Sequence, residues 1–311
     1  MSNRFYGIEV ELENGDRVFR NTPPSHWIRE GDGSLRNNGV ELKSYGPLTL
    51  DVAEHSLVQL DDYFTRNQIE VEANTRCSVH IHMDVRDMSN TEVYNMLCNY
   101  SLIEPMFFAY VGGGREDSHF CVPYYHCKET VRNLMHTIKE HDPTVLGMHG
   151  RKYMAVNVLP MVGQGSVEWR QFPAVLPITS VVEWLHIIDA IKVETVALGR
   201  WADDHVMEFC QRMLPGTYDE DKADIGRETY YYHLLAATPV RRHQPPDIDF
   251  GHEEEEEEPE WPDEPEEEEE PDDDLPLATR ETIARARERL AAREFSRILD
   301  DFITTSQGGE E

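Results

Sequence analysis

Apolar and polar residues alternate with a period of two in several short stretches of this chain, and in others apolar residues recur at intervals of three and four. Residues 5–13 place Ile8, Val10 and Leu12 against Glu9, Glu11 and Glu13. In residues 77–85 Val79, Ile81 and Met83 alternate with His80, His82 and Asp84, and in residues 166–172 Val167 and Trp169 alternate with Glu168 and Arg170. Period two predicts half-buried strands, since positions i and i+2 project from one face of a sheet. Residues 39–44 read as a further short strand, and residues 151–159 as another that pairs with 166–172 in a hairpin across Gly163 to Gly165. Helical spacing covers 50–67 (Ala53, Leu57, Leu60, Phe64) and 128–141 (Val131, Leu134, Met135, Ile138). Ser89 with Glu92, and Ser180 with Glu183, have the spacing of a capping box. The first opens a helix that ends before Gly112; the second opens one that runs past Trp201. Strands interrupted by helices without a regular βαβ rhythm predict an α+β domain with a mostly antiparallel sheet, over residues 1–243.

The polar halves of these strands change the picture. Each of three distant segments presents charged or imidazole groups on one face, and a sheet face gathering carboxylates, two imidazoles and a guanidinium repels itself unless cations or an anionic ligand balance it. The simplest reading is a metal site. Carboxylate oxygens with one or two imidazoles suit Mg²⁺ or Mn²⁺ where a substrate supplies phosphate oxygens, whereas zinc asks for more nitrogen or sulfur. Two other families with an HxH pattern fit poorly. Val85 stands where a metallo-β-lactamase has a His after HxHxD, and Arg86 and Asp87 stand where a cupin has its Glu.

Composition adds a boundary. The chain has 311 residues, 39% hydrophobic, enough for a sizeable core, and a formal net charge of −31. That charge is concentrated: 19 acidic residues and no Lys or Arg lie between Asp247 and Asp274, leaving about −12 elsewhere. Residues 244–276 therefore read as an acidic, disordered linker. Residues 277–311 read as an amphipathic helix (Ile283, Leu290, Phe295, Ile298, Leu299, Phe302, with an arginine-rich opposite face) and a flexible Gly-Gly-Glu-Glu tail. Such a helix needs a partner, either its own domain or another protein. An acidic protein is not expected to bind nucleic acid directly. Five irregularly spaced cysteines (Cys77, Cys98, Cys121, Cys127, Cys210) and no signal-like segment lead us to expect free thiols and a cytoplasmic location, and no apolar run is long enough to span a membrane.

Five motifs occur in order: GIEVELE at 7–13; DGSL at 32–35 with ELKS at 41–44; CSVHIHMD at 77–84; KYMAVNV at 152–158; and GSVEWRQF at 165–172. In this order they resemble the amidoligase family, many of whose members are encoded by bacteriophages and which is similar to glutamine synthetase and glutamate–cysteine ligase, the carboxylate–amine ligases. The resemblance spans roughly residues 5–200. It implies a glutamine-synthetase-like curved, mostly antiparallel sheet with helices packed on one face. It also implies an ATP-dependent ligase that joins a carboxylate substrate to an amine substrate, small molecule, peptide or protein, through an acyl phosphate; for a phage-encoded member the location is the host cytoplasm. On this chain Glu9, His80 and Glu168 would resemble one metal site, and Glu11 with Glu41 the other. Arg170 matches the arginine that clamps the transferring phosphoryl group. His82 is either an orienting residue or a substrate contact, and Arg151 and Lys152 are expected phosphate contacts. The chain departs from the family at Ser78, where a glycine is usual, and at Tyr45-Gly46, where Ser-Pro is common.

Plainer readings stand beside these. Glu13 reads as a solvated strand residue, Asp32 equally well as a turn residue, and Asn157 as a strand amide. Two other functions stay open at this stage: a non-enzymatic binding protein acting through the acidic tail, and a metal-dependent hydrolase using the same face. A minority reading makes Glu310 or Glu311 a donor carboxylate for protein tagging.

Overall fold

A computed structural model describes residues 4–13, 22–31, 35–37, 39–69, 76–112, 114–140, 152–174 and 177–236. The expected acidic linker and terminal helix, Asp32, Arg151, Glu310 and Glu311 lie outside these residues. The described part is a mixed α/β fold around one antiparallel sheet. Its strands are β1 (Phe5–Leu12), β2 (Trp27–Gly31), β3 (Val40–Ser44), β4 (Leu48–Thr49), β5 (Ser78–Asp84), β6 (Val156–Asn157) and β7 (Ser166–Pro173). They run in the order β2-β3-β1-β5-β7-β6, with β4 also paired to β1. The helices are α1 (Leu50–Asn67), α2 (Asn90–Val111), α3 (Lys128–Glu140), the single turn α4 (Pro160–Gly163), α5 (Ser180–Leu198), α6 (Asp203–Met213) and α7 (Glu220–Ala236).

Alternation in β1, β5 and β7 decides which face the helices cover. Tyr6, Ile8, Val10, Val79, Ile81, Met83, Val167 and Trp169 are all buried. Trp169 meets the rings of Tyr100 and Phe107 from α2, Phe172 meets Trp184 from α5, and the Trp27 indole donates to Ser56 O of α1. Trp169 and Phe172 are three residues apart and would leave opposite faces of a regular strand. They share one because β7 carries a bulge, its register against β5 shifting between Val79 and Ile81. Carbonyls left outside the ladder there are taken up by buried Arg115, whose guanidinium donates to Arg170 O and Gln171 O.

Several elements differ from expectation. The strand expected over 151–159 shrinks to two residues, because Pro160 lacks an N–H and opens the turn α4. Its pairing partner is β7 as expected, but the connection is this helical turn rather than a tight hairpin. The Ser89/Glu92 capping box is present, whereas Ser180 lies inside α5, its hydroxyl donating to Pro177 O, so the second box does not form. That helix ends at Leu198 rather than past Trp201, because Gly199 takes a positive φ of 72°. Strand β2 and helices α6 and α7 were not expected. Helix α7 lies so close to α2 that a Cβ on Gly226 would sit 2.2 Å from Leu102 O.

Beneath the sheet a buried polar chain ties β7 to α2. The Gln171 amide donates to the Tyr100 hydroxyl at 2.8 Å, and Tyr100 donates to Glu104 at 2.5 Å. Glu104 also accepts from the backbone N–H of Tyr124 and Tyr125. Burial pushes the Glu104 carboxyl up to about 7, with these donors pulling against it. The unfolded carboxyl ionises first as pH rises, so stability present below about pH 4.5 is lost progressively to about pH 7. Glu104→Gln should flatten this loss, which amounts to about 3 kcal/mol. Urea unfolding of both proteins at pH 4.5 and 7 measures it.

None of the five cysteines forms a disulfide. Among the described residues no helix is long and apolar enough to cross a membrane.

Candidate functional site

The open face of the sheet gathers the polar halves of its central strands. Register brings Glu9 opposite His80 on β5 and Lys43 on β3, and Glu11 opposite Glu41. On the other side of β5, His82 lies opposite Glu168. His80 Nδ1 lies 3.2 Å from Glu168 Oε1 and 3.4 Å from Glu9 Oε2, and His82 Nε2 lies 3.5 Å from Glu9 Oε2. Among the described residues, two sets of groups have ligand atoms within 4.8 Å of one another: Glu9, Glu41 and His80, and Glu9, His82 and Glu168.

Each side chain is held by neighbours. Asn157, on short β6, donates to Glu168 Oε2 at 2.7 Å. Arg170 donates to Glu168 Oε1 and, through Nε, to Phe120 O at 3.1 Å. Ser78 donates from both its N–H and its hydroxyl to Glu11 Oε2, and its Oγ lies 2.7 Å from His80 Nε2. That fixes the imidazole with Nδ1 toward Glu9 and Glu168. Ser78→Ala should therefore weaken Mn²⁺ binding about 10- to 100-fold, the usual cost of losing an orienting partner behind a ligand. Calorimetric titration checks it, with Ser78→Thr restoring part of the affinity.

The electrostatics show crowded, buried carboxylates. Burial, and after it the charge of Glu9, pushes the Glu41 carboxyl up to about 8, despite Lys43 at 2.7 Å. Burial would raise Glu9 too, but the imidazoles of His80 and His82 outweigh it and hold that carboxyl well below the usual range. Closely spaced carboxylates that cannot all ionise at ease are what a multivalent cation relieves.

Around this floor lies a cleft of about 180 Å³, whose rim carries Arg76, Lys152 and Arg170 with the rings of Phe120 and Tyr153. Lys152 lies 4.7 Å from the Tyr153 ring and Arg170 5.8 Å, so both cations stack along an aromatic wall. Cations above and carboxylates below suit a phosphate chain with bound metal. At that volume the cleft takes phosphates and ions, and a nucleoside would extend past the rim.

Glu9, Glu41, His80, His82, Glu168 and Arg170 are thus brought together, with Lys152 on the rim. His80 reaches both Glu9 and Glu168, the three expected in one group, while the clusters of ligand atoms within 4.8 Å overlap at Glu9 and also bring Glu41 to His80 and His82 to Glu168. Glu11 lines the cleft, but one of its oxygens is committed to Ser78. Glu13 turns to the backbone N–H of Arg36. Sequence reasoning missed Lys43, Arg76, Phe120 and Tyr153. Lys43 and Tyr153 sit inside quoted motifs and Arg76 directly precedes one, while Phe120 follows no period.

Fold and site together define a mixed α/β protein whose antiparallel sheet carries a cluster of acidic and imidazole groups able to hold metal. No protein-family model matches the chain, and no curated protein matches it.

Proposed function

We propose that this protein is an ATP-dependent carboxylate–amine ligase of the amidoligase kind, using Mg²⁺ or Mn²⁺. The observation that carries the reading is the convergence of Glu9, Glu41, Glu168, His80 and His82, drawn from four strands, beneath Arg170, Arg76 and Lys152. A fold-stabilising face would gain nothing from crowding carboxylates until one of them, Glu41, is pushed up to about 8. The ordered motifs support the same assignment.

In this reading the two groups sharing Glu9 hold the metal ions, and hard divalent cations there neutralise phosphate oxygens. Arg170 serves the transferring phosphoryl group, its guanidinium held in place by Phe120 O and Glu168. Lys152 and Arg76 hold the outer phosphates. Across the reaction, a carboxylate oxygen takes the γ-phosphoryl group and ADP leaves. The amine nitrogen then attacks the acyl carbon, and the phosphate departs with the captured oxygen as the nitrogen gives up its proton. Glu9 and Glu168 would offer carboxylate oxygens to the metal, and Asn157 and Ser78 keep their neighbours from turning.

ADP release on incubation with Mg²⁺, ATP and panels of amino acids and peptides tests it. Metal-dependent ADP release that rises with a carboxylate and an amine present is expected. Failure to bind Mg²⁺-nucleotide, or amide cleavage with metal and no nucleotide, would replace the ligase with a binding protein or a hydrolase.

A further inference from the structure

Over its last three turns helix α5 is apolar on its outer side as well as its inner one, the pattern of a helix covered all round. The inner side is covered, with Trp184, Ile188 and Ile191 fully buried. The outer side is bare: Val193, Val196 and Leu198 are 42, 49 and 56% exposed, and Ala197 is exposed beside them. Ala190, Val193 and Ala197 recur at i, i+3 and i+7, so they form one stripe, with Val196 at its edge. Three of the ten large apolar side chains exposed among the described residues fall within these six positions, 193–198. Single exposed apolar residues are ordinary, whereas a contiguous group marks a contact surface.

Charge around the stripe narrows the partner. Glu194 pairs with His205 and Arg212, which sets α6 alongside this end of α5. Helix α6 opens with Asp203 and Asp204 and carries Glu208, all exposed, and neither Asp204 nor Glu208 has an ion pair among the described residues. Against Arg200 and Arg212, these four carboxylates leave this end of the domain negative. The surface fits an apolar stripe flanked by cations.

The chain itself carries such a segment outside the described residues. Ile283, Leu290, Phe295, Ile298, Leu299 and Phe302 follow helical spacing, and six arginines against three glutamates lie between Thr279 and Leu299, a basic run in a chain of net charge −31. Between Ala236, the end of α7, and Ile283 lie 46 residues, enough to reach any face of a domain this size. A tether also holds its segment at up to roughly millimolar local concentration, above that of a second copy or free partner at micromolar levels. We propose that residues 283–302 dock in cis on the outer side of α5, their apolar residues over Val193, Val196 and Ala197 and their arginines toward Asp204 and Glu208. This docking is independent of the ligase reading.

Amide exchange of residues 283–302, followed by mass spectrometry in the full-length protein, tests it. Exchange should be at least about tenfold slower than in a synthetic peptide of the same residues, and equally slow after dilution. Val193→Glu with Val196→Glu, at exposed positions away from the cleft, should return exchange to the peptide rate with an unchanged melting temperature. If that pair does not fold, Leu299→Asp with Phe302→Asp, outside the folded domain, takes its place and should exchange as fast as its own peptide. Wild-type exchange at the peptide rate overturns the proposal, as does slowing that survives in either variant. Slowing lost on dilution assigns the surface to a second copy and overturns it too.

Discussion

Glu9→Gln should abolish Mn²⁺ binding in calorimetry and lower metal-dependent ADP release by a factor on the order of 10²–10³. The substitution keeps the shape of the side chain and removes the charge common to both ligand groups. No other carboxylate replaces it, since Glu41 and Glu168 already belong to one group each and Glu11 is engaged by Ser78. Stability should fall as well. The imidazoles of His80 and His82 hold the Glu9 carboxyl well below its usual range, so its charge contributes to the fold at neutral pH, and the relief given to Glu41 offsets only part of that loss. Lower resistance to urea at pH 7, narrowing as pH falls, together with lost metal binding is the expected signature. A variant that keeps wild-type Mn²⁺ affinity would remove Glu9 from the metal site, and the proposed function with it.

Trp169→Ala should destabilise the protein by about 3–5 kcal/mol, the cost of emptying a large aromatic site in a close-packed core. That is a large part of the roughly 5–15 kcal/mol that holds a typical domain together. Trp169 is fully buried, with its ring 5.3 Å from Tyr100 and 6.1 Å from Phe107. It sits between Glu168 and Arg170 on β7, pointing into the helices while they point into the cleft. Loosening it should therefore also reduce Mn²⁺ affinity, without touching a ligand. Its indole N–H makes no hydrogen bond among the described residues, so Trp169→Phe, which removes that group and keeps an aromatic body, should cost clearly less than Ala. Urea unfolding of the two variants checks this ordering, and equal losses would show that the N–H has a partner.

Both predictions concern residues legible from the alternation in β1, β5 and β7. A two-residue period needs no tertiary information to separate Ile8, Val10, Val79, Ile81 and Trp169 from Glu9, His80, His82, Glu168 and Arg170, because each strand carries its own inside and outside. Helices with a wide apolar stripe, such as α1 and α3, were legible for the same reason. Less was legible where long-range contact overrides local pattern. Helix α7 packs by the absence of a side chain at Gly226, and β2 has a single deeply buried residue, Trp27, in a polar stretch. The 180–183 pair has capping-box spacing, but the helix already starts around it.

By itself, then, the sequence determined which residues would share a face and that this face would need cations, since parity along a strand is local. Only the tertiary structure decided which carboxylate meets which imidazole. That depends on register between strands some seventy and more residues apart, and on the β7 bulge, which lets Trp169 and Phe172 pack the same side while Glu168 and Arg170 stay in the cleft. It also decided that Glu9 lines two pockets, one bearing cations on its rim and one over Gly7 with Phe5, Ile28 and Pro47 around it, because a missing side chain becomes a cavity only when other strands and loops wall it in.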